Sequence, residues 1–175
     1  MTEFLLVRHG EPNYKSLENW ANINIATNFA PLTEEGVKQV YNLVKVLKEE
    51  HADVIITSPY TRTLQGAAIL SKKLDIPLFV EPSLVEWQLD TTQSIKSDVR
   101  LKRLLKEFET YDGHYPLGKR KKWESKDFVK ERVLSVFHRY KQYEKVIVSG
   151  HAVMIGYVTD EFRYYDYCEI KKFYY

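Results

Sequence analysis

Apolar residues fall into two kinds of run along this chain. Phe4-Leu5-Leu6-Val7, Val54-Ile55-Ile56 and Val146-Ile147-Val148 are unbroken. Such runs read as strands covered on both faces, the habit of a mainly parallel sheet. A shorter run is Leu78-Phe79-Val80. Elsewhere the apolar positions recur with helical spacing. Val37, Val40, Val44 and Leu47 form one stripe, with Thr33 placed to cap it and Glu34 and Glu35 at the positive end of its dipole. Leu64, Ala67 and Ala68 mark a second helix, with Ser58 expected as its cap and Pro59 in its first turn. Leu101, Leu104, Leu105 and Phe108 mark a third; Val129, Val133, Val136, Phe137 and Tyr140 mark a fourth behind a Ser125 cap. In the tyrosine-rich tail, Tyr167, Phe173 and Tyr175 share one parity, so an edge strand is expected there. This alternation predicts an α/β three-layer sandwich, a mainly parallel central sheet with helices on both faces, as one domain over residues 1–175.

Two segments lack either pattern. Residues 11–31 carry Pro12, Asn13 and Pro31; residues 111–124 carry Gly113, Pro116, Gly118 and the basic run Lys119-Arg120-Lys121-Lys122. Long irregular loops in compact domains are often lids. The basic run reads as solvated surface, or more sharply as a rim that steers anionic substrates. Trp20, Trp87 and Trp123 lie in or beside loops, where each caps the core or faces substrate, Trp87 being the best placed for the second role.

Composition narrows the classes. With 44% apolar residues among 175, the chain can build a core. Lys and Arg number 26 against 24 Asp and Glu, a net charge of +2, so bulk charge gives no case for a nucleic-acid partner. No apolar run approaches the roughly 20 residues that span a bilayer, and no basic segment precedes the first strand. No membrane partner and a cytoplasmic location are therefore expected. Cys168 is the only cysteine, which rules out an intramolecular disulfide and a cysteine metal cluster. It reads as a packing residue.

The reactive candidates follow strands. Arg8 and His9 follow the first, Arg62 lies in the first helical turn after Val54-Ile56, and His151 follows Val146-Val148 through Ser149-Gly150. Open parallel sheets bind ligands outside the carboxyl ends of their strands, so parallel strands would bring these groups to one edge. Two arginines there suit phosphate oxygens. A neutral imidazole can attack phosphorus, provided its other nitrogen holds a proton on a backbone carbonyl. Nearby arginines favour that neutral form. Gly10 would let the backbone approach the phosphate. The leaving oxygen needs an acid, and Glu86 beside Trp87 is the leading candidate. Asn13 is read as a turn former, with phosphate binding as its sharper role. His51, His114 and His138 follow no buried strand and read as surface residues.

These pieces, in order, resemble the histidine phosphatase superfamily, the phosphoglycerate mutase-like fold. The matching segments are Leu6-Val7-Arg8-His9-Gly10-Glu11, Pro31-Leu32-Thr33-Glu34-Glu35-Gly36, Thr57-Ser58-Pro59-Tyr60-Thr61-Arg62-Thr63, Leu84-Val85-Glu86 and Val148-Ser149-Gly150-His151. The resemblance implies a phosphohistidine on His9, a phosphate pocket of Arg8, Arg62 and His151, Glu86 as proton donor, and no metal or cofactor. The sequence departs from the family at Pro12, Lys15 and Ala152, and in the glycine-free Trp87-Gln88-Leu89-Asp90. The expected function is hydrolysis of small-molecule phosphate monoesters. Mutase-type phosphoryl transfer and a non-catalytic phospho-ligand-binding protein on the same scaffold are the alternatives. An edge strand in the tail could pair two copies into a homodimer.

Overall fold

Each unbroken apolar run forms a strand. The computed structural model describes residues 1–19, 23–95 and 97–175, so Trp20 lies outside the described residues. The elements run β1 (Glu3–Arg8), α1 (Ile23–Ala26), α2 (Glu34–Lys48), β2 (Val54–Thr57), α3 (Thr61–Leu74), β3 (Leu78–Val80), α4 (Asp98–Thr110), α5 (Lys126–Arg139), β4 (Lys145–Gly150), α6 (Ala152–Thr159) and β5 (Ile170–Tyr174). Among the described residues the sheet has the order β3-β2-β4-β1-β5. All neighbours are parallel except β5, which runs antiparallel to β1.

Strand pleating divides the core. Phe4, Leu6, Val54, Ile56, Val146 and Val148 face one cluster, with Val129, Val133, Val136 and Phe137 of α5 and Met154, Ile155 and Val158 of α6. Leu5, Val7, Ile55 and Ile147 face the other, with Val40, Leu43 and Leu47 of α2 and Ala67 and Leu70 of α3. Successive residues of one strand point to opposite faces. Unbroken apolar strands are therefore what a sheet with helices on both sides requires. Burying each such aliphatic side chain contributes about 1.5–3 kcal/mol relative to leaving it exposed.

The caps of α2 and α5 are as expected: Thr33 Oγ1 accepts from Gly36 N–H at 2.9 Å and Ser125 Oγ from Phe128 N–H at 3.1 Å. Three expectations are corrected. Ser58 does not cap the second helix: Tyr60 is the N-cap of α3, and Pro59 stays outside it. The tail strand begins only at Ile170, because the chain turns through positive φ at Cys168 and carries Tyr167 away from the strand. Segment 11–31 is not a structureless loop. It holds 3-10 turns at Tyr14–Leu17 and Thr27–Phe29 besides α1, and Pro12 bridges Leu32. Gly10 is also required by the fold itself. A Cβ there would lie 2.7 Å from Gly36 O, and one on Gly36 would lie 2.3 Å from Glu11 O, so the end of β1 and the first turn of α2 pack backbone to backbone. Glu11 secures the joint: its Oε2 accepts from Thr33 Oγ1 at 2.6 Å and its N–H donates to Gln39 Oε1 at 2.9 Å.

Cys168 is half-buried against the α2–α3 cluster, and burial pushes its thiol up to about 11, in keeping with packing. No helix among the described residues is long and apolar enough to cross a membrane.

Candidate active site

Strand order decides which residues meet. β4 lies between β1 and β2, with Gly150 opposite Arg8 and Ser149 opposite Thr57. The ladder continues one step further: His9 N–H donates to Gly150 O and Ser58 N–H to Ser149 O, each at 3.1 Å. His9, His151 and Ser58 therefore leave the sheet side by side at its carboxyl edge. Arg62 joins them from the first turn of α3.

The hydrogen bonds define both tautomers. His9 Nδ1 lies 2.7 Å from Gly10 O. A carbonyl only accepts, so Nδ1 carries the proton and Nε2 keeps a free lone pair. His151 is the reverse. Arg62 Nη2 lies 3.3 Å from His151 Nδ1; a guanidinium only donates, so Nδ1 is the acceptor and Nε2–H donates to Ser58 Oγ at 2.9 Å. The two rings are 5.4 Å apart between centroids, inclined at 65°. Burial, reinforced by the Arg62 and Arg8 charges, lowers His9 to about 3. Burial, then Arg62 and His9, holds His151 well below the usual imidazole range. Both rings are neutral around pH 7.

The arginines are fixed by carbonyls and aromatic faces. Arg62 Nη1 donates to Thr27 O at 2.8 Å. Arg8 Nη1 donates to Tyr165 O, while the Arg8 guanidinium carbon lies 4.2 Å from the Tyr167 ring centroid and 5.1 Å from that of Tyr164. The Nε–H groups of Arg8 and Arg62 are buried with no hydrogen-bond partner among the described residues.

Glu86 reaches the same edge on the loop after β3. Its Oε1 accepts from Trp87 N–H and Met154 N–H, both at 2.9 Å, and its Oε2 from Val153 N–H at 3.2 Å. The carboxyl thus sits on the N-terminus of α6, the helix whose N-cap is His151. Burial raises its pKa, opposed by those backbone N–H groups and by Arg62. Beside it opens a pocket of about 340 Å³ lined by Tyr14, Tyr60, Arg62, Glu86, Trp87 and Gln88, among others.

The structure thus brings Arg8, His9, Arg62, Glu86 and His151 to one edge. Asn13 stays apart: its Oδ1 accepts from Ser16 N–H at 3.3 Å and caps a 3-10 turn, the local role its residue type favours. Trp87 combines two roles, since its ring packs on Phe108 at 4.8 Å and also lines the pocket. Trp123 is fully buried and belongs to the core. His51, His114 and His138 are exposed.

Sequence reasoning missed Ser58 as the partner of His151, the tail tyrosines around Arg8, and the ion pair Arg132–Glu124. The last had a signal: Arg132 interrupts the apolar face of Val129, Val133 and Val136, and an arginine within such a stripe calls for a buried partner.

An open α/β sheet presenting neutral histidines and arginines at its carboxyl edge defines a site for phosphoryl chemistry. The chain belongs to the histidine phosphatase superfamily (branch 1), whose family model matches residues 4–174. Membership assigns it to enzymes of the phosphatase and mutase kind in general. No curated protein matches the sequence. Solved structures share the fold. YhfR of Bacillus stearothermophilus superimposes with TM-score 0.68 at 23% identity, covering 91% of this chain and 78% of that one. A mycobacterial glucosyl-3-phosphoglycerate phosphatase gives 0.65 at 16%, covering 91% and 78%. The alpha-ribazole phosphatase of Shigella flexneri gives 0.62 at 18%, covering 89% and 76%.

The buried histidines make the fold acid-sensitive. In the unfolded chain an imidazole takes up its proton near pH 6.5, whereas folded His9 does so only near 3. Between these values the unfolded state binds the extra proton, so stability present above pH 6.5 is lost as pH falls. At pH 4.5 the loss from His9 alone is about 3 kcal/mol, and His151 adds to it with the same sign. Urea unfolding at pH 7.0 and 4.5 measures this. The His9→Gln variant should lose less stability than wild type over the same interval; an equal loss would mean that folded His9 titrates normally.

Proposed function

We propose that the protein is a metal-independent phosphatase that hydrolyses phosphate monoesters through a phosphohistidine on His9. The observation that carries this reading is the pair of buried, unpartnered Nε–H groups on Arg8 and Arg62 beside the free Nε2 lone pair of His9. Buried donors without acceptors are costly, on the order of 1–3 kcal/mol each. A tetrahedral oxyanion would satisfy both.

His9 Nε2 attacks phosphorus in line, and the bond to the ester oxygen breaks. Nδ1–H stays on Gly10 O, which stabilises the positive charge that phosphorylation places on the ring. Arg8 and Arg62 hold the equatorial oxygens, where charge spreads in the transition state. His151 offers one donor, Nε2–H, now held by Ser58 Oγ. Protonated Glu86 gives its proton to the leaving oxygen. Its Oε2 accepts only the longer N–H bond and is the atom left to carry that proton. The resulting carboxylate then takes a proton from water as that water attacks phosphorus, and the P–N electron pair returns to Nε2.

The test is kcat/KM over a panel of phosphate monoesters, with alcohol and inorganic phosphate both measured. Equal release of the two is expected. Isomerisation of 3-phosphoglycerate without free phosphate would replace the hydrolase reading by a mutase, and no turnover over the panel would contradict both.

A further inference from the structure

Glu86 is held from two sides. Its carboxyl rests on α6, while its main chain is gripped by an ion pair that none of the family-like motifs contains. Arg132 Nε lies 3.0 Å from Glu124 Oε1 and Nη2 lies 3.1 Å from Oε2; the two side chains are 10% and 7% exposed. Their remaining valences go to one loop. Arg132 Nη1 donates to Ser83 O at 2.6 Å, and Nη2 also reaches Glu86 O at 3.4 Å. Glu124 Oε2 accepts from Gln88 N–H at 2.9 Å. Glu124 N–H donates to Gln88 O at 2.9 Å, and Glu124 O accepts from Trp87 Nε1–H at 2.8 Å. Contacts before, at and after Glu86 therefore converge on Arg132–Glu124. A desolvated ion pair gives little net stability compared with apolar residues of the same size. What this pair supplies is a fixed path for residues 83–88.

The geometry points to Arg132 and Glu124 as positioning residues that fix the Glu86 carboxyl where it can protonate the leaving oxygen. The inference rests on the proposed role of Glu86. Neither residue lines the pocket beside Glu86, so their influence on the reaction passes through the loop. A displacement of about 1 Å at a reacting group can cost on the order of 10²-fold in rate. That loss should depend on the leaving group. A 4-nitrophenolate departs without a proton; an alkoxide does not. Arg132 also bears on His151 through its charge, but a changed phosphate pocket would slow both esters alike.

The test compares kcat/KM for 4-nitrophenyl phosphate and glycerol 3-phosphate in wild type, Glu86→Gln and the double variant Arg132→Met/Glu124→Leu. Removing both charges avoids leaving one buried and unpaired, and a matching circular dichroism spectrum and cooperative melt establish that the variant folds. The aryl-to-alkyl ratio is expected to rise at least 10-fold in the double variant. Adding Glu86→Gln to it should raise the ratio no further than Glu86→Gln does alone. Equal losses on both esters, an unchanged ratio, or a double variant that does not fold would overturn the positioning role. If Glu86→Gln leaves the ratio unchanged, the proton-donor reading fails and this inference falls with it; if Glu86→Gln shifts it and the double variant does not, only this inference fails.

Discussion

His9→Ala is expected to lower kcat/KM for phosphate monoesters by roughly 10⁴- to 10⁶-fold, the scale on which removal of a covalent nucleophile is felt. The remaining pocket predicts where the loss appears. Arg8 is held by Tyr165 O and the tail tyrosines, and Arg62 by Thr27 O and His151. The His9 ring only packs against His151 and Tyr167, at 5.4 and 5.9 Å between centroids, and takes part in none of the hydrogen bonds that hold the two arginines, so those bonds survive its removal. Inhibition by inorganic phosphate, measured in wild type by competition and in the variant by calorimetry, should change only a few-fold while turnover collapses. A variant that kept more than about a hundredth of wild-type kcat/KM would show that water, not His9, attacks phosphorus.

Glu86→Gln is expected to lower kcat/KM for alkyl phosphates by about 10²- to 10⁴-fold, the usual contribution of a positioned acid, and for 4-nitrophenyl phosphate by less than 10-fold. The substitution suits the site. A Gln oxygen can still accept from Trp87 N–H and Met154 N–H, which keeps the N-terminus of α6 capped. What disappears is a proton. Burial raises the pKa of Glu86, so its acid form survives to higher pH than that of an ordinary carboxyl. In wild type the alkyl-ester profile should fall as pH rises through that value, and this limb should vanish in the variant. The structure also offers a plainer role, because two of the N–H groups on this carboxyl, those of Val153 and Met154, are in the first turn of α6 and make it a helix cap. If Glu86→Gln lowers the melting temperature but treats both esters equally, Glu86 is only that cap.

The sequence carried the architecture because Phe4-Val7, Val54-Ile56 and Val146-Val148 are apolar at every position, which only a sheet covered on both faces demands. It did not carry strand order. Nothing in Val146-Ile147-Val148 says that this strand lies between the other two, yet that placement sets His151 between His9 and Ser58. Ser58-Pro59 has the composition of a helix start. The segment stays tied to Ser149 instead, and the hydroxyl goes to His151. Gly10 was legible as a point of close approach, but the partner, Gly36, is distant in sequence and depends on how α2 docks. The tail shows the limit of parity. It holds from Phe173 to Tyr175, but a positive φ at Cys168 breaks the alternation and turns Tyr167 toward Arg8. The residues that meet at the strand ends were legible because they reside in local motifs. The groups that hold them, Tyr165, Arg132 and Glu124, act across the fold.

A phosphoryl group carried by His9 can be trapped and located. A brief pulse of ³²P-labelled substrate, an acid-free quench and peptide mapping test for it directly. The label is expected on the peptide containing His9, stable to base and labile to acid, chased by unlabelled substrate at the rate of turnover, and absent from His9→Ala. Turnover without label, or label on any other residue, would rule out a phosphohistidine on His9.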